Sequence, residues 1–325
     1  MVREPIDNDL PSPENAAVAV VGAGSIGAAF SVVFATARRE VRIYEPDKKQ
    51  RRSVRDRIAA SLRDLEEFEL VAEGADRILS RVRVTPDIGE ALTGVCHVQE
   101  CVPESLDLKR KLFAELDALA AEGVVLASSS SAITASEFAA GLGGASRCLV
   151  AHPGNPPFLI RIVEIVAAPS TSHEAVERTC ALMRSVAMSP IIVRKELRGF
   201  VFNRLQGALL REAYCLVRDG VASVEDIDRL VHDGLGLRWS VVGPFETADL
   251  NRRGGIGAHA KIMGDAYAAM GAERGQHDPW TPELIGKVEA ERRALLPLHR
   301  WEERVRWRDR QLMSILAARS PSQKR

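Results

Sequence analysis

The sequence feature that most constrains the fold is a glycine-rich turn between an apolar run and a helical pattern. Residues 22–27 read Gly-Ala-Gly-Ser-Ile-Gly, after the β-branched run 17–22 and at the start of a helix predicted over 25–38. Short runs of this kind form buried strands of parallel sheets. A second strand is predicted over 40–45, so the pattern indicates a strand–helix–strand unit.

The G-x-G-x-x-G spacing gives each glycine a physical role in holding a dinucleotide. Gly22 makes the tight turn, Gly24 lets the backbone approach a pyrophosphate, and Gly27 lets the helix pack closely on the strand. Ser25 and Ile26 lie in the first helical turn, whose free amide groups favour an anion. A purely structural turn is the alternative, but the flanking strand and helix favour a dinucleotide site.

An acidic residue at the end of the second predicted strand indicates which dinucleotide binds. Glu45 lies 18 residues beyond Gly27, near the spacing of a carboxylate that binds ribose hydroxyls. A carboxylate also repels a 2′-phosphate, so we expect NAD rather than NADP. Four basic residues follow closely, between positions 48 and 52, and we interpret them as a solvated helix face.

The rest of the chain alternates strands and helices up to about residue 195 and is helical beyond it. Strands are predicted over 81–85, 97–101, 124–128, 147–151 and 191–193, and helices over 48–73, 106–121, 223–236 with Ser223 as its cap, and 283–317 on the surface. This alternation is typical of a Rossmann-like, doubly wound α/β sheet. We therefore predict a flexible leader over 1–15, an NAD-binding domain over 16–195 and an all-helical substrate and dimerisation domain over 196–325.

Composition argues against several other classes of protein. Lysine plus arginine and aspartate plus glutamate both number 44, so no overall charge attracts a nucleic acid. No apolar run reaches the roughly 18 residues that a membrane span needs. The five cysteines lack the spacing of a zinc site or a disulfide framework, so we expect buried thiols, no bound metal and a cytoplasmic protein.

One histidine and one acid stand out as candidate catalytic residues. A histidine can remove a hydroxyl proton near neutral pH, and a carboxylate can orient it. Among the seven histidines only His152 directly follows a predicted strand of the first domain, where such sheets bind ligands. Glu164 lies in an apolar run and is costly to bury without a partner. The alternative is an edge strand on which Glu164 faces water.

Two further polar features lie near this pair in the sequence. Four consecutive serines, 128–131, follow the strand over 124–128 and can bind a substrate oxygen or cap the next helix, the commoner role. Asn203 lies inside a helical run, and periodicity alone predicts an ordinary exposed helix residue.

Together these motifs resemble the 3-hydroxyacyl-CoA dehydrogenase family, nearly from end to end. The stretches that carry the resemblance are GAGSIG, SSSSAIT, AHPGNPP, VEIV and GFVFNRL. The likeness is greatest to the lambda-crystallin branch, which includes L-gulonate 3-dehydrogenase, through VQECVPESLDLKRKLF, HPGNPPFLIRIVEIV, DGLGLRWSVVGPFET and WRDRQLM.

The resemblance implies roles for four residues in catalysis. His152 is implied to take the C3 hydroxyl proton while hydride passes to the nicotinamide, and Glu164 to orient His152. Ser131 and Asn203 are implied to hydrogen-bond the substrate oxygens. Whether Ser130 or Ser131 makes that contact stays open.

The resemblance also implies residues near the cofactor and a homodimer formed by the second domain. Glu104 and Lys109 are implied to contact the cofactor or line its pocket. The chain departs from its relatives at Arg161, where the lambda-crystallin branch has proline, and at Arg252 and Arg253, where that branch is less basic. These arginines are candidates for a bidentate contact with a substrate carboxylate, with solvent-facing side chains as the alternative.

The leading expectation is therefore NAD-dependent oxidation at C3 of a small hydroxy acid such as L-gulonate. L-3-hydroxyacyl-CoA dehydrogenation in fatty-acid metabolism, carnitine dehydrogenation and diketone reduction are alternative reactions. A crystallin-like structural protein and a redox sensor that binds NAD without turnover are alternatives of other classes. The presence of all four implied catalytic residues favours an enzyme.

Overall fold

The computed structural model describes residues 16–240, 243–251, 255–275, 283, 286, 287, 290, 294 and 297–319. The chain divides into two compact units after residue 204 and again after residue 305, and its last part rejoins the first unit. The predicted leader over 1–15 lies outside the described residues. None of the described helices is long and apolar enough to cross a membrane.

The first unit is built on one eight-stranded sheet. Its strands are Ala17–Val21 (β1), Val41–Tyr44 (β2), Val82–Thr85 (β3), Val95–Glu100 (β4), Val125–Ser128 (β5), Cys148–Pro153 (β6), Ile162–Ala167 (β7) and Ser189–Val193 (β8). Their order in the sheet is β3-β2-β1-β4-β5-β6-β7-β8. β1 to β6 are parallel, whereas β7 runs antiparallel to β6 and parallel to β8. The first six strands thus have the order of a doubly wound dinucleotide-binding sheet, which confirms the predicted fold class.

Helices cover both faces of this sheet. They are Ser25–Thr36 (α1), Lys48–Glu67 (α2), Ala75–Leu79 (α3), Ile88–Leu92 (α4), Leu106–Leu119 (α5), Ala135–Phe138 (α6) and His173–Ser185 (α7). Alternate residues of β1 belong to two apolar clusters: Val18 and Val20 pack with residues of α1, α2 and α7, and Ala19 and Val21 with residues of α5 and α6. Because both faces are buried, β1 is a continuous apolar run rather than an alternating one.

The charged helix predicted over 48–73 ends early: α2 stops at Glu67, and a separate helix, α3, begins only at Ala75. Glu69 adopts a left-handed conformation with φ of 54° and ends α2. The Leu70 N–H donates to the Leu65 carbonyl, and the Glu69 N–H to the Glu66 carbonyl. This pair of hydrogen bonds is a Schellman helix end. No glycine lies at this position, so no local signal in the sequence predicts the helix end.

The second unit is helical throughout its described part. Its elements are Phe202–Arg218 (α8, whose first three residues belong to the first unit), Val224–Arg229 (α9), a π-helical segment Leu230–Gly236, Leu237–Trp239 (α10), Pro244–Leu250 (α11) and Gly255–Arg274 (α12). Ser223 caps α9 by accepting a hydrogen bond from the Asp226 N–H at 3.1 Å, as predicted. Near the end of the chain lies Trp301–Arg319 (α13). Its Met313 is 1% exposed within the core of the first unit, so the surface helix predicted over 283–317 is wrong at this residue, and α13 begins only after a 3₁₀ turn at Leu298–Arg300.

Candidate active site and cofactor pocket

The glycine turn between β1 and α1 has a backbone that side chains would obstruct. Gly22 has a φ of +102°, and a Cβ there would lie 2.9 Å from the Cys101 carbonyl oxygen. A Cβ on Gly27 would lie 1.9 Å from the Gly22 carbonyl oxygen, so α1 can begin directly against the turn only with glycine. At Gly24 the nearest protein atom to a Cβ is 3.9 Å away, which leaves that backbone open to a ligand.

A cavity of about 640 Å³ opens at this turn. It is lined by the turn itself, the end of β2, the segment after β4 and one face of α5: Val21, Gly22, Ala23, Gly24, Ser25, Ile26, Tyr44, Glu45, Pro46, Gln50, Cys101, Val102, Pro103, Leu108, Lys111, Leu112 and Glu115. Its size is ordinary for a cofactor site. The turn offers an open glycine backbone and the N-terminus of a 12-residue helix to a pyrophosphate, so the residues present fit a dinucleotide.

Glu45 is held at the rim of this cavity by the backbone around it. One carboxylate oxygen accepts a hydrogen bond from the Ala23 N–H at 2.8 Å, and the other from the Asp47 N–H at 2.9 Å. Arg57, which no sequence motif singles out, donates to the Ala23 carbonyl. The carboxylate is therefore fixed in place while it keeps further lone pairs for ribose hydroxyls.

Lys109 does not line this cavity, contrary to one form of the expectation. It is 1% exposed, and its Nζ lies 2.9 and 2.8 Å from the two carboxylate oxygens of Glu100. Ser128 and the Val102 N–H also donate to Glu100, so the buried carboxylate is fully surrounded by donors. Lys109 thus forms a buried ion pair with Glu100. Without that partner its buried ammonium would be desolvated and uncompensated.

Glu104 likewise lies outside the cavity lining and holds the loop of residues 129–133 that follows β5, the serine loop. Its Oε1 accepts hydrogen bonds from Ser130 Oγ at 2.5 Å and from the backbone N–H groups of Ala132 and Ile133 at 3.1 and 3.2 Å. Burial raises the pKa of Glu104, but these donors and the charge of Lys109 outweigh it, so the net pKa is lowered. An ionised Glu104 therefore holds the serine loop in place through these three hydrogen bonds.

His152 and Glu164 form a buried hydrogen-bonded pair. They are cross-strand partners in the antiparallel β6–β7 ladder, and His152 Nδ1 lies 2.8 Å from Glu164 Oε2. They are 6% and 1% exposed, and β7 lies between β6 and β8, so the alternative of an edge strand facing water is wrong. β6 also extends through Pro153, so His152 lies in the strand rather than after it.

The environment of Glu164 keeps it ionised and fixes the imidazole. Its Oε1 accepts the backbone N–H groups of Val201 at 2.7 Å and Phe202 at 2.9 Å. Burial raises the pKa of Glu164, but the hydrogen bonds from His152 and these two N–H groups outweigh it and lower the pKa overall. A carboxylate at Nδ1 requires a proton on that nitrogen, which leaves Nε2 free to accept one. The ring of Phe200 lies 5.6 Å from the imidazole, centroid to centroid, and limits its movement.

The four serines 128–131 differ in the hydrogen bonds that their hydroxyls form. The first three are bound by side chains of the segment 99–104: Ser128 by Glu100, Ser129 by Gln99 and Ser130 by Glu104. Ser131 is exposed, and its hydroxyl makes no hydrogen bond to any residue that the structure describes. Ser131 is therefore the serine whose hydroxyl is available to a ligand.

Asn203 is half-buried and reaches the serine loop, so the interpretation as an ordinary exposed helix residue is wrong. Its Nδ2 donates to the carbonyl of Ser131 at 3.2 Å. Periodicity could not show this, because the partner lies 72 residues away in the chain. The first turn of α8 thus contacts both Glu164, through its backbone, and Ser131.

Of the three arginines predicted as candidate substrate contacts, the structure describes Arg161. Arg161 directly precedes β7 and is half-buried, and burial lowers the pKa of its guanidinium. Within the described part of the chain its guanidinium has no hydrogen-bond or ion-pair partner. Arg252 and Arg253 lie outside the described residues.

Family models match almost the whole length of the chain. The model described as 3-hydroxyacyl-CoA dehydrogenase, NAD binding domain, matches residues 17–197. The model described as 3-hydroxyacyl-CoA dehydrogenase, C-terminal domain, matches residues 199–295.

Individual proteins are similar over most of their length as well. Lambda-crystallin of Oryctolagus cuniculus is 42% identical over 247 residues, which are 75% of this chain and 77% of that protein. L-carnitine dehydrogenase of Streptomyces coelicolor is 38% identical over 280 residues, 85% of each chain. A solved structure of 5-formyl-3-hydroxy-2-methylpyridine 4-carboxylic acid 5-dehydrogenase, an NAD⁺-dependent dismutase, superposes with a TM-score of 0.80 at 26% identity, covering 93% of this chain and 97% of that one.

Proposed function

Because the chain belongs to the 3-hydroxyacyl-CoA dehydrogenase family, an NAD-dependent family that acts on CH–OH groups, we propose that it oxidises the C3 hydroxyl of a small free hydroxy acid. The observation that carries the proposal is the buried pair of His152 and Glu164, joined at 2.8 Å. A histidine oriented by an ionised carboxylate is the arrangement that alcohol oxidation needs.

The chain's own residues supply proton transfer and orientation. His152 Nε2 accepts the hydroxyl proton, and Glu164 stabilises the imidazolium that results. The free hydroxyl of Ser131 hydrogen-bonds the substrate oxygen, while Asn203 holds the Ser131 backbone. The glycine turn and Glu45 would hold NAD, which would supply the hydride acceptor.

We propose a free acid rather than a thioester because of Arg161. A half-buried guanidinium without a carboxylate partner among the described residues is costly unless an anion binds it. A substrate carboxylate would supply that anion as a bidentate partner. L-Gulonate and L-carnitine both carry a hydroxyl at C3 and a free carboxylate, so both belong to this substrate class.

The experiment is NADH absorbance with purified protein, NAD and four substrates: L-gulonate, L-carnitine, L-3-hydroxybutyrate and L-3-hydroxybutyryl-CoA. We expect turnover of one or more free acids and little of the thioester. Turnover of the thioester alone would make the protein a hydroxyacyl-CoA enzyme and contradict the role of Arg161. No turnover of any, with NAD still bound, would contradict the proposed function and favour a structural or sensing role.

Two variants test the residues. We expect His152→Ala to abolish NADH formation while it retains NAD binding, and normal turnover would contradict the role of His152. We expect Arg161→Met to raise the KM for the acid without changing the KM for NAD. The matched control is Arg63→Met, which removes an exposed arginine on α2.

We also propose that the second unit forms a homodimer in a reducing cytoplasm. Five large apolar side chains of the second unit are each at least 64% exposed: Leu205, Val221, Leu230, Leu237 and Phe245. A partner copy would cover this apolar surface. All five cysteines are free. Light scattering coupled to gel filtration should give twice the chain mass, and a monomer at micromolar concentration would contradict the dimer.

A further inference from the structure

Gln99 is a fully buried polar side chain of β4 that no step of the proposed mechanism uses. Its Nε2 lies 2.8 Å from Ser129 Oγ and 3.2 Å from the carbonyl oxygen of Ala151. Its Oε1 lies 3.2 Å from His97 Nε2. One amide of β4 therefore contacts the first residue after β5 and a residue of β6, which lie 30 and 52 positions further along the chain.

The orientation of this amide follows from its partners. A backbone carbonyl can only accept, so the amide nitrogen must face Ala151, and the amide oxygen must face His97. His97 then donates from Nε2 and is neutral. Burial lowers the pKa of His97 to about 4, which keeps it neutral under ordinary conditions. The three hydrogen bonds thus have one consistent arrangement.

Gln99 contacts β6 just beyond the point where β5 stops pairing with that strand. The β5–β6 ladder ends at the pair Ser128–Val150, and beyond it β5 gives way to the serine loop. The carbonyl of Ala151 lies one residue past that pair and accepts from the Gln99 side chain. Beyond Ser128 no residue of β5 pairs with β6, and the Gln99 side chain donates a hydrogen bond to β6 there instead.

The two groups that Gln99 joins carry the proposed chemistry. Ser129 begins the loop that bears Ser131, and Ala151 directly precedes His152. We infer that Gln99 is a positioning residue that fixes the distance between the Ser131 hydroxyl and the His152 imidazole. The inference rests on the proposed function, since it assigns these two groups to one substrate oxygen. A misplacement of about 1 Å can reduce the rate about 100-fold, so a fixed distance has kinetic consequences.

The test replaces Gln99 with methionine, which has nearly the same shape and no amide. We expect kcat to fall about 10- to 100-fold, with the Kd for NAD unchanged because Gln99 does not line the cofactor cavity. Ser129→Ala removes the hydrogen bond from Gln99, together with the 3.2 Å contact between Ser129 Oγ and Cys101 Sγ, and keeps the hydrogen bond from Gln99 to Ala151. It replaces Gln99→Met if that variant does not fold. For Ser129→Ala we expect a smaller loss of kcat, which Ser129→Thr restores.

The matched control is Thr179→Val, which removes another fully buried hydrogen-bonding side chain, on α7, where Thr179 donates to the Ala175 carbonyl. We expect this control to keep kcat. If folded Gln99→Met retains kcat within twofold of the unmodified protein, or if Thr179→Val loses as much, the positioning role is wrong.

Hydrogen–deuterium exchange gives a readout that needs no substrate. We expect faster exchange in Gln99→Met over residues 129–133 and 150–153, and unchanged exchange there in Thr179→Val. If the unmodified protein turns over none of the four substrates, the proposed function fails. Faster exchange confined to those two segments would then still support Gln99 as the residue that fixes them, and unchanged exchange would overturn the inference.

Discussion

Replacing Glu164 with glutamine should change the tautomer of His152 rather than simply weaken a contact. In the structure Glu164 Oε1 accepts two backbone N–H groups, at 2.7 and 2.9 Å. A glutamine must keep its carbonyl oxygen at that position, because its NH₂ group cannot accept from them. The NH₂ then faces His152 Nδ1, which must become the acceptor. The imidazole proton moves to Nε2, the atom that has to take the substrate proton.

The expected loss is large for this reason. A carboxylate-to-amide change that imposes the wrong histidine tautomer lowers kcat about 10⁴-fold in Ser-His-Asp enzymes. We expect Glu164→Gln to lower kcat by about 10³- to 10⁴-fold, which corresponds to about 4–5.5 kcal/mol of transition-state stabilisation. The Kd for NAD should not change, because Glu164 does not line the cofactor cavity.

The assay is the initial rate of NADH formation with the best substrate, together with NAD titration of each variant. His152→Ala provides the comparison, and the double variant should be no slower than the slower single variant if the two residues act as one unit. A folded Glu164→Gln whose kcat lies within tenfold of the unmodified protein would refute the tautomer reasoning. Equal losses in kcat and NAD affinity would instead indicate a general disturbance of the fold.

Three further predictions concern stability and cofactor choice. Burial lowers the pKa of His97 to about 4, below the unfolded value near 6.5, so the fold should lose up to about 3 kcal/mol as the pH falls from 6.5 to 4. His97→Gln, which can still donate to Gln99, should flatten this dependence in urea unfolding series at several pH values. Lys109→Met should cost about 3–5 kcal/mol at pH 7, because it leaves Glu100 buried without its counter-ion; urea unfolding at that pH measures the cost. Glu45→Ala should weaken NAD binding about tenfold and raise NADP binding relative to it, measured by fluorescence titration.

Each of these has a result that would contradict it. Identical pH slopes with and without His97 would mean that its burial does not shift its titration. A Lys109→Met protein as stable as the unmodified one would mean that Glu100 is satisfied by its other donors. Unchanged preference between NAD and NADP in Glu45→Ala would mean that another group excludes the 2′-phosphate.

The features that depend on residues close together in the chain could be predicted from the sequence. The glycine turn, the strand before it, the helix after it and Glu45 all lie within 29 residues, and turn chemistry and periodicity are local properties. The same applies to the cap at Ser223, which the structure confirms. The resemblance extended this to the family and the NAD cofactor, which the family models confirm.

The contacts between side chains that are distant in the sequence follow from the fold and could not be predicted from local patterns. His152 faces Glu164 because of the register of an antiparallel pair, and a shift of one residue would turn one side chain to the other face of the sheet. Ser131 differs from its three neighbours only because residues of β4 and the segment after it bind the others. Gln99 bonds partners 30 and 52 residues away. No local pattern encodes such contacts, because they depend on which strands lie side by side and in which register.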